Sequence, residues 1–485
     1  MAAAGGDAGA RRAWPRALWW LLPPAVMALL GGWLLARPRS FWYDELFTAE
    51  MAPLPLGRLL DAIVSGEGTI PYLRDAPPSY NGPYYALVHL WLRATGLSPD
   101  EWGLRLLSVV AAVAAVAVLT LAVGRLAGRR VALATGLVAA TNPFVVQYAA
   151  EARGYAVALL ATALAALGLA RWLDGRRHGL LLYGVALAGA GLAHWFALFV
   201  AVAFAAAGVV LRRRAAVPLL AVTVAAAAPA LALIGTALAN GVGASGAEWI
   251  SGVGPAVPLR VFQSWSGAWT PLLIATSLAV GVGLLRRDPD LRPARVVAAA
   301  WVAVPVVTVT ALELLRPLYV DRYLLPALLG LPLLVGLSAR ARRPVALTLV
   351  GVVLATSLWA TVGEVRLRPK EDVRRAVAAV AAAHQPGQPV VAVARWDALG
   401  VDHYTRREHP SLVPDVVLPP APVPMATTLW VVRRSRDGVK GDREKLAALD
   451  HELAGRGMRV ADERRFAGRY AGVLVQRWEL AAGGT

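Results

Sequence analysis

Apolar residues run along this chain in long blocks separated by short basic clusters, not with the alternation of half-buried strands. Blocks at 17–36, 103–124, 131–149, 154–173, 179–193, 195–211, 215–238, 270–286, 296–312, 322–338 and 344–361 predict about eleven membrane-spanning helices, several shorter than the roughly 20 residues that cross a bilayer upright. Segment 84–95 is apolar and aromatic but too short to cross, and predicts a juxtamembrane or re-entrant helix. Segment 46–70, with Pro53, Pro55 and Gly57, predicts short amphipathic helices lying at the interface. Together these form a large first outer loop, 37–102, inside a transmembrane domain 1–361. From 362 onward charge rises and shorter elements alternate: helices at 371–383 and 443–456, strands at 389–394, 429–432 and 472–478, and a proline-rich loop at 418–424. The pattern predicts an α-helical polytopic membrane protein with a soluble extracytoplasmic α/β domain, 362–485.

Composition changes that picture little. Hydrophobic residues make up 57% of the chain, and apolar blocks recur to about residue 360, so the first block reads as a retained helix and not as a cleaved signal peptide. The absence of cysteine excludes disulfides and thiolate metal sites. A net charge of +18 would suggest nucleic acid in a soluble protein, but the arginines cluster between apolar blocks: Arg11/Arg12/Arg16, Arg125/Arg129/Arg130, Arg171/Arg176/Arg177, 212–214, Arg286/Arg287/Arg292/Arg295 and Arg340/Arg342/Arg343. The positive-inside rule accounts for them. It predicts a multi-pass plasma-membrane protein with a cytoplasmic amino terminus, an extracytoplasmic carboxy-terminal domain and no nucleic-acid partner. No GxxxxGK[ST], HExxH or GxSxG motif occurs.

In this topology ionisable residues collect on the outer side, where acids beside a bilayer are costly and point to function. Phe41-Trp42-Tyr43-Asp44-Glu45-Leu46 carries two adjacent carboxylates just past the first block. Gln147 and Glu151, four apart, share a helical face if the helix continues, and Glu151 is expected to face Asp44. Ala193-His194-Trp195 and the run Arg316 to Tyr323 occupy further outer turns. Carboxylates and arginines on one leaflet suit transfer from a lipid-linked anionic donor: a carboxylate takes the acceptor's hydroxyl proton while arginines hold the phosphate leaving group. The acids would equally serve as oxygen ligands for a divalent cation, Mg or Mn, with Asp44 and Glu151 as ligands, and the sequence leaves base and ligand roles open. Each group also has a structural reading. Acids favour a helix start, Glu151 and Arg153 suit an interfacial ion pair, and interfacial tyrosines anchor helices. A secondary transporter or lipid flippase is the alternative of another class, although it calls for charges near the midplane.

The set Tyr43-Asp44-Glu45, Asn81-Gly82-Pro83-Tyr84-Tyr85, Tyr148…Glu151-Ala152-Arg153-Gly154-Tyr155, Ala193-His194-Trp195 and Asp321-Arg322-Tyr323-Leu324-Leu325-Pro326 resembles, in this order over roughly residues 40–340, the bacterial GT-C membrane glycosyltransferases. The nearest branch is that of the protein O-mannosyltransferases, which includes the lipid A aminoarabinose transferase. The resemblance implies inverting transfer of a sugar, mannose in the first instance, from a polyprenyl-phosphate donor to a lipid, glycan or protein acceptor outside the membrane. It implies Asp44 as the catalytic acid position with Glu45 beside it and Glu151 as the second-loop acid. Arg153 and Arg322 are expected at the donor phosphate, and Tyr84, Tyr85, Tyr148, His194 and Tyr323 around the substrates. Gly82-Pro83 and Gly154 depart from the branch pattern, which has two prolines before the paired tyrosines and a proline after the second-loop arginine.

Overall fold

A computed structural model describes residues 19–37, 39–74, 76, 78–241, 250, 252–286, 288–366, 369–435 and 440–481. Arg11, Arg12, Arg16 and Arg287 of the basic clusters lie outside these residues. The helices run in order α1 (Leu22–Leu35), α2 (Tyr43–Met51), α3 (Leu56–Ser65), α4 (Gly82–Thr95), α5 (Glu101–Ala127), α6 (Arg129–Thr141), α7 (Pro143–Ala149), α8 (Tyr155–Leu173), α9 (Gly179–Ala193), α10 (Leu198–Arg212), α11 (Ala216–Ala239), α12 (Val257–Trp265), α13 (Thr270–Leu285), α14 (Arg292–Glu313), α15 (Leu325–Leu328), α16 (Gly330–Leu337) and α17 (Arg343–Arg366).

Every apolar block of the sequence is helical, and the differences lie in the breaks. Among the described residues five helical stretches are long and apolar enough to cross a membrane, one of them the serial pair α10–α11, and α1 and α9 are shorter. Three further stretches are bent pairs: α6–α7 by 63°, α12–α13 by 104°, and the pair containing α15 and α16 by 47°. The first bend has a clear cause. Pro143 cannot donate to α6, and Asn142 caps the new helix by accepting from the N–H groups of Phe144 and Val145 at 3.0 and 3.1 Å. Asn142 also donates to the Trp265 carbonyl at 2.9 Å, so the break is anchored to α12. Helices α8 and α9 meet through glycines: a Cβ on Gly168 would stand 2.5 Å from the Tyr183 nitrogen, and one on Gly179 would stand 2.7 Å from the Gly168 carbonyl. Such close backbone approach is how bundles pack where lipid removes the hydrophobic drive.

The first loop forms α2, α3 and α4, as the amphipathic and short apolar segments predict. Beyond α17 lie α18 (Val373–Ala383), β1 (Val390–Val391), α19 (Arg395–Glu408), β2 (Val416–Val417), β3 (Thr428–Arg434), α20 (Lys440–Gly455), β4 (Met458–Phe466) and β5 (Val473–Leu480). The strands order as β2-β1-β3-β5-β4, with β1 parallel to both β2 and β3, and β5 antiparallel to β3 and β4. This module shares one apolar cluster with the first loop: Leu46, Phe47, Tyr84 and Tyr85 pack in the same core as Val377, Leu399, Tyr404 and Val475. The Tyr404 hydroxyl fixes the contact, accepting from the Phe41 N–H at 2.7 Å and donating to Glu101 at 2.8 Å. Tyr404→Phe leaves the buried Phe41 N–H without its acceptor, and we expect a cost of about 1–3 kcal/mol. Earlier protease cleavage between α17 and β1 and a lower midpoint in thermal unfolding would register it.

Candidate active site

The two adjacent acids are separated by the helix they begin. Trp42 is the N-cap of α2, and Asp44 and Glu45 occupy its first turn, where the helix dipole favours negative charge. Successive helical residues point about 100° apart, so the two carboxylates meet different partners. Glu45 turns into the protein. Arg105, near the start of α5, donates from Nε to Glu45 Oε1 at 2.7 Å and from Nη2 to Oε2 at 2.6 Å. Oε1 also accepts from the Ala152 N–H at 2.9 Å and Oε2 from the Trp42 N–H at 3.4 Å. Arg105 spends its remaining donors on the carbonyls of Arg39 and Ser40. With its oxygens so engaged and only 1% exposed, Glu45 ties α2 to α5 and to the second loop.

Asp44 faces two arginines. Arg322 Nη2 lies 3.7 Å and Arg153 Nε 4.0 Å from Asp44 Oδ2, ion-pair distances longer than a hydrogen bond. Arg153 Nη1 donates to the Asp44 carbonyl at 3.3 Å and to the hydroxyls of Tyr80 and Tyr85 at 3.2 and 3.1 Å. The loop bearing Arg153 is pressed onto the turn before His194: a Cβ at Gly154 would stand 2.4 Å from the Ala193 carbonyl, so the glycine is a packing requirement.

Glu151 pairs with Lys370 at 2.6 Å, and its Oε2 is buried without a partner. Burial raises its carboxyl, the Lys370 charge opposing that rise. Although α7 ends at Ala149, Gln147 and Glu151 do line one cavity, together with Trp42, Arg105 and Lys370. Lys370 Nζ stands 3.7 Å and Arg322 Cζ 5.3 Å from the Trp42 ring centroid. Tyr148, Tyr155, His194, Phe196 and Tyr323 form an aromatic cluster beside Arg322, with His194 centred 5.4 Å from both Tyr155 and Tyr323. Tyr84 is buried against Ser108, 3.4 Å between hydroxyls. Burial, reinforced by Arg153 and Arg322, pushes the His194 imidazole down to about 3, so it is neutral at physiological pH.

The two acids expected as a metal pair each meet cationic side chains. Asp44 is engaged by Arg153 and Arg322 and Glu151 by Lys370, and among the described residues no three His, Asp or Glu side chains converge as ligands. Three partners escaped the sequence reading. Arg105 sits in the first turn of an apolar block, an unusual place for a charge. Tyr80 directly precedes the singled-out Asn81. Lys370 lies in the link to the carboxy-terminal module, with no motif to mark it.

Neither a protein-family model nor a curated protein matches the chain. By structure it is similar to ArnT from Cupriavidus metallidurans bound to undecaprenyl phosphate, with TM-score 0.56 and 14% identity over 95% of this chain and 98% of that one. The apo state of the same protein gives TM-score 0.52 at 14% identity over 94% and 97%. The archaeal oligosaccharyltransferase AglB from Archaeoglobus fulgidus, in complex with an inhibitory peptide and a dolichol-phosphate, gives TM-score 0.51 at 12% identity over 84% of this chain and 65% of that one. The chain therefore has the GT-C fold.

Breaking the buried Glu45–Arg105 pair from one side strands a charge, so Arg105→Ala should cost about 3–5 kcal/mol. Arg125→Ala, which breaks a pair with Asp174 between partly exposed side chains, should cost under about 1 kcal/mol. Thermal unfolding in detergent checks the contrast. The folded state also resists protonating His194, whose ordinary value is 6.5. The unfolded chain then binds more protons below pH 6.5, and stability falls as pH drops from 6.5 toward 3. His194→Gln should flatten that acid limb, which unfolding midpoints across the range would reveal.

Proposed function

We propose that this protein is an inverting membrane glycosyltransferase that moves a sugar from a polyprenyl-phosphate donor to the hydroxyl of an extracytoplasmic lipid, glycan or protein acceptor. The observation that carries the reading is the Asp44 carboxylate, buried at a helix start between Arg153 and Arg322, at one end of a GT-C bundle. ArnT, the neighbour bound to undecaprenyl phosphate, supports the donor class. The sugar is a hexose or pentose, with mannose favoured by the sequence resemblance. The proposed topology keeps the amino terminus in the cytoplasm and places the transmembrane body, 1–361, below an extracytoplasmic module, 362–485.

In the proposed reaction the acceptor oxygen attacks the anomeric carbon from the face opposite the phosphate. The bond from that carbon to the phosphate oxygen breaks, its electron pair leaves with the phosphate, and Asp44 receives the hydroxyl proton. Arg153 and Arg322 stabilise the charge that grows on the leaving phosphate. Glu45 positions α2, while Glu151 borders the donor side. Tyr84 and Tyr85 shape the first-loop wall, and Tyr148, neutral His194 and Tyr323 form an aromatic wall suited to a sugar ring. A transporter reading finds less support, since these charged groups gather where α2 and the second loop meet the carboxy-terminal module and not at helix breaks near the bundle centre.

Membranes containing the wild type should transfer radiolabel from polyprenyl-phosphate-mannose to endogenous acceptors, and Asp44→Asn should reduce the rate by about 10²–10⁴-fold, the range of general-base catalysis. EDTA should leave wild-type transfer unchanged. Full activity in Asp44→Asn would remove Asp44 from the mechanism, and loss with EDTA would restore a metal to it.

A further inference from the structure

The cavity lined by Trp42, Gln147 and Glu151 has two chemically distinct walls. One is apolar and belongs to the bundle: Leu34 at the end of α1, Pro143 and Val146 of α7, and Ala150 just beyond it. The other is cationic. Arg39, Arg105, Lys370 and Arg469 line it against only two carboxylates, Glu45 and Glu151. The cavity encloses ≈ 50 Å³, room for about three or four waters or one phosphoryl group. The cations strain against one another: Arg39 is pushed down to about 10, first by burial and then by the charges of Arg105, Arg469 and Arg37. Two buried polar atoms of the lining, Trp42 Nε1 and Glu151 Oε2, have no partner.

Lys370 and Arg469 are held in place by backbone. The turn between β4 and β5 grips the link from α17, with Arg469 N–H donating to the Pro369 carbonyl at 2.8 Å and the N–H groups of Tyr470 and Ala471 donating to the Lys370 carbonyl at 2.9 and 3.1 Å. A Cβ on Gly468 would stand 2.4 Å from that same carbonyl, so the turn approaches as closely as glycine permits. Glu371, next in the chain, accepts from the Tyr43 N–H at 3.2 Å, tying the link to the helix that bears Asp44.

We infer that this cavity holds the phosphate of the polyprenyl-linked substrate, with Lys370 and Arg469 of the carboxy-terminal module as its phosphate-binding side chains and the α1–α7 wall receiving the first isoprene units. The inference rests on the donor class proposed above and adds that the carboxy-terminal module builds the donor site. The arriving phosphate exchanges with Glu151 for Lys370, and the released carboxyl takes up a proton, which its burial favours. Trp42 lines this cavity and also carries Arg322 against its ring, so one side chain borders both Lys370 and the arginine assigned to the leaving group.

The test titrates purified full-length protein in detergent with undecaprenyl phosphate, undecaprenol or inorganic phosphate and reads complexes by native mass spectrometry. Lys370→Ala alone would strand Glu151, so the comparison is Glu151→Gln against Glu151→Gln/Lys370→Ala, with Arg465→Ala on exposed β4 as control. Undecaprenyl phosphate should bind the wild type, Glu151→Gln and the control alike or tighter in Glu151→Gln. The double variant and Arg469→Ala should each lose at least tenfold in affinity at unchanged unfolding temperature. Equal affinity in Glu151→Gln and the double variant overturns the inference while leaving the proposed reaction standing, and so does equal binding of undecaprenol. Tight binding of inorganic phosphate alone overturns the lipid assignment of the cavity. Failure of the wild type to bind undecaprenyl phosphate removes the inference together with the donor class on which it rests.

Discussion

The site is organised around the ion pair between Glu45 and Arg105. Burying such a pair brings little net stability, because desolvation offsets most of the attraction. Its importance is geometric. Arg105 ties the beginning of α5 to the carbonyls of Arg39 and Ser40, and Glu45 takes the Ala152 N–H from the second loop. Thr48, one turn further along α2, donates to the Ala152 carbonyl at 2.8 Å and closes the same junction. Three segments distant in sequence are thus locked at one point, and the position of Asp44 follows, since it has no freedom apart from the helix that Glu45 fixes. The chain invests one carboxylate in architecture so that its neighbour can face Arg153 and Arg322.

The carboxy-terminal module belongs to that architecture. Tyr404 holds the Phe41 backbone, Glu371 holds that of Tyr43, and His403 and Arg406 pair with Glu50 at the other end of α2. Both ends of the short helix carrying Asp44 are therefore set by α19 and the link before α18. The composition changes near residue 362, but the hydrophobic core and the polar contacts cross that point.

What the sequence reveals divides along the same physical lines. Helices α1, α5 to α11 and α13 to α17 are legible because a bilayer demands long apolar blocks, whereas α12 falls in no such block, and the first loop is legible from its short amphipathic segments punctuated by Pro53, Pro55 and Gly57. Helix α19 is not: Arg395–Glu408 is polar overall, and Asp397, His403 and Tyr404 are buried against Arg434, Glu50 and Phe41. Strand β4 is an edge strand, exposed at most positions, so its charged sequence lacks the alternation that announces a strand. Asp44, Arg153 and Arg322 stand out as charges at block ends, and the structure brings them together. Glu151, expected opposite Asp44, instead meets Lys370, because a pairing across more than 200 residues leaves no trace in local pattern.

Charge balance gives the arrangement its logic for the proposed transfer. A sugar phosphodiester carries one negative charge, and the phosphate left after cleavage of the sugar–oxygen bond carries up to two. Asp44 begins as a carboxylate and ends protonated. The negative charge that Asp44 surrenders is thus matched by the charge the phosphate gains, and the total facing Arg153 and Arg322 stays constant through the reaction. The 3.7 and 4.0 Å ion-pair distances suit this exchange. Tight bidentate pairing of the kind Arg105 makes with Glu45 would hold Asp44 ionised and withhold the arginines from the phosphate. Loose pairing at Asp44 and tight pairing at Glu45 are opposite settings of the same carboxylate–guanidinium interaction, the first suited to the proposed proton transfer and the second to holding α2 in place.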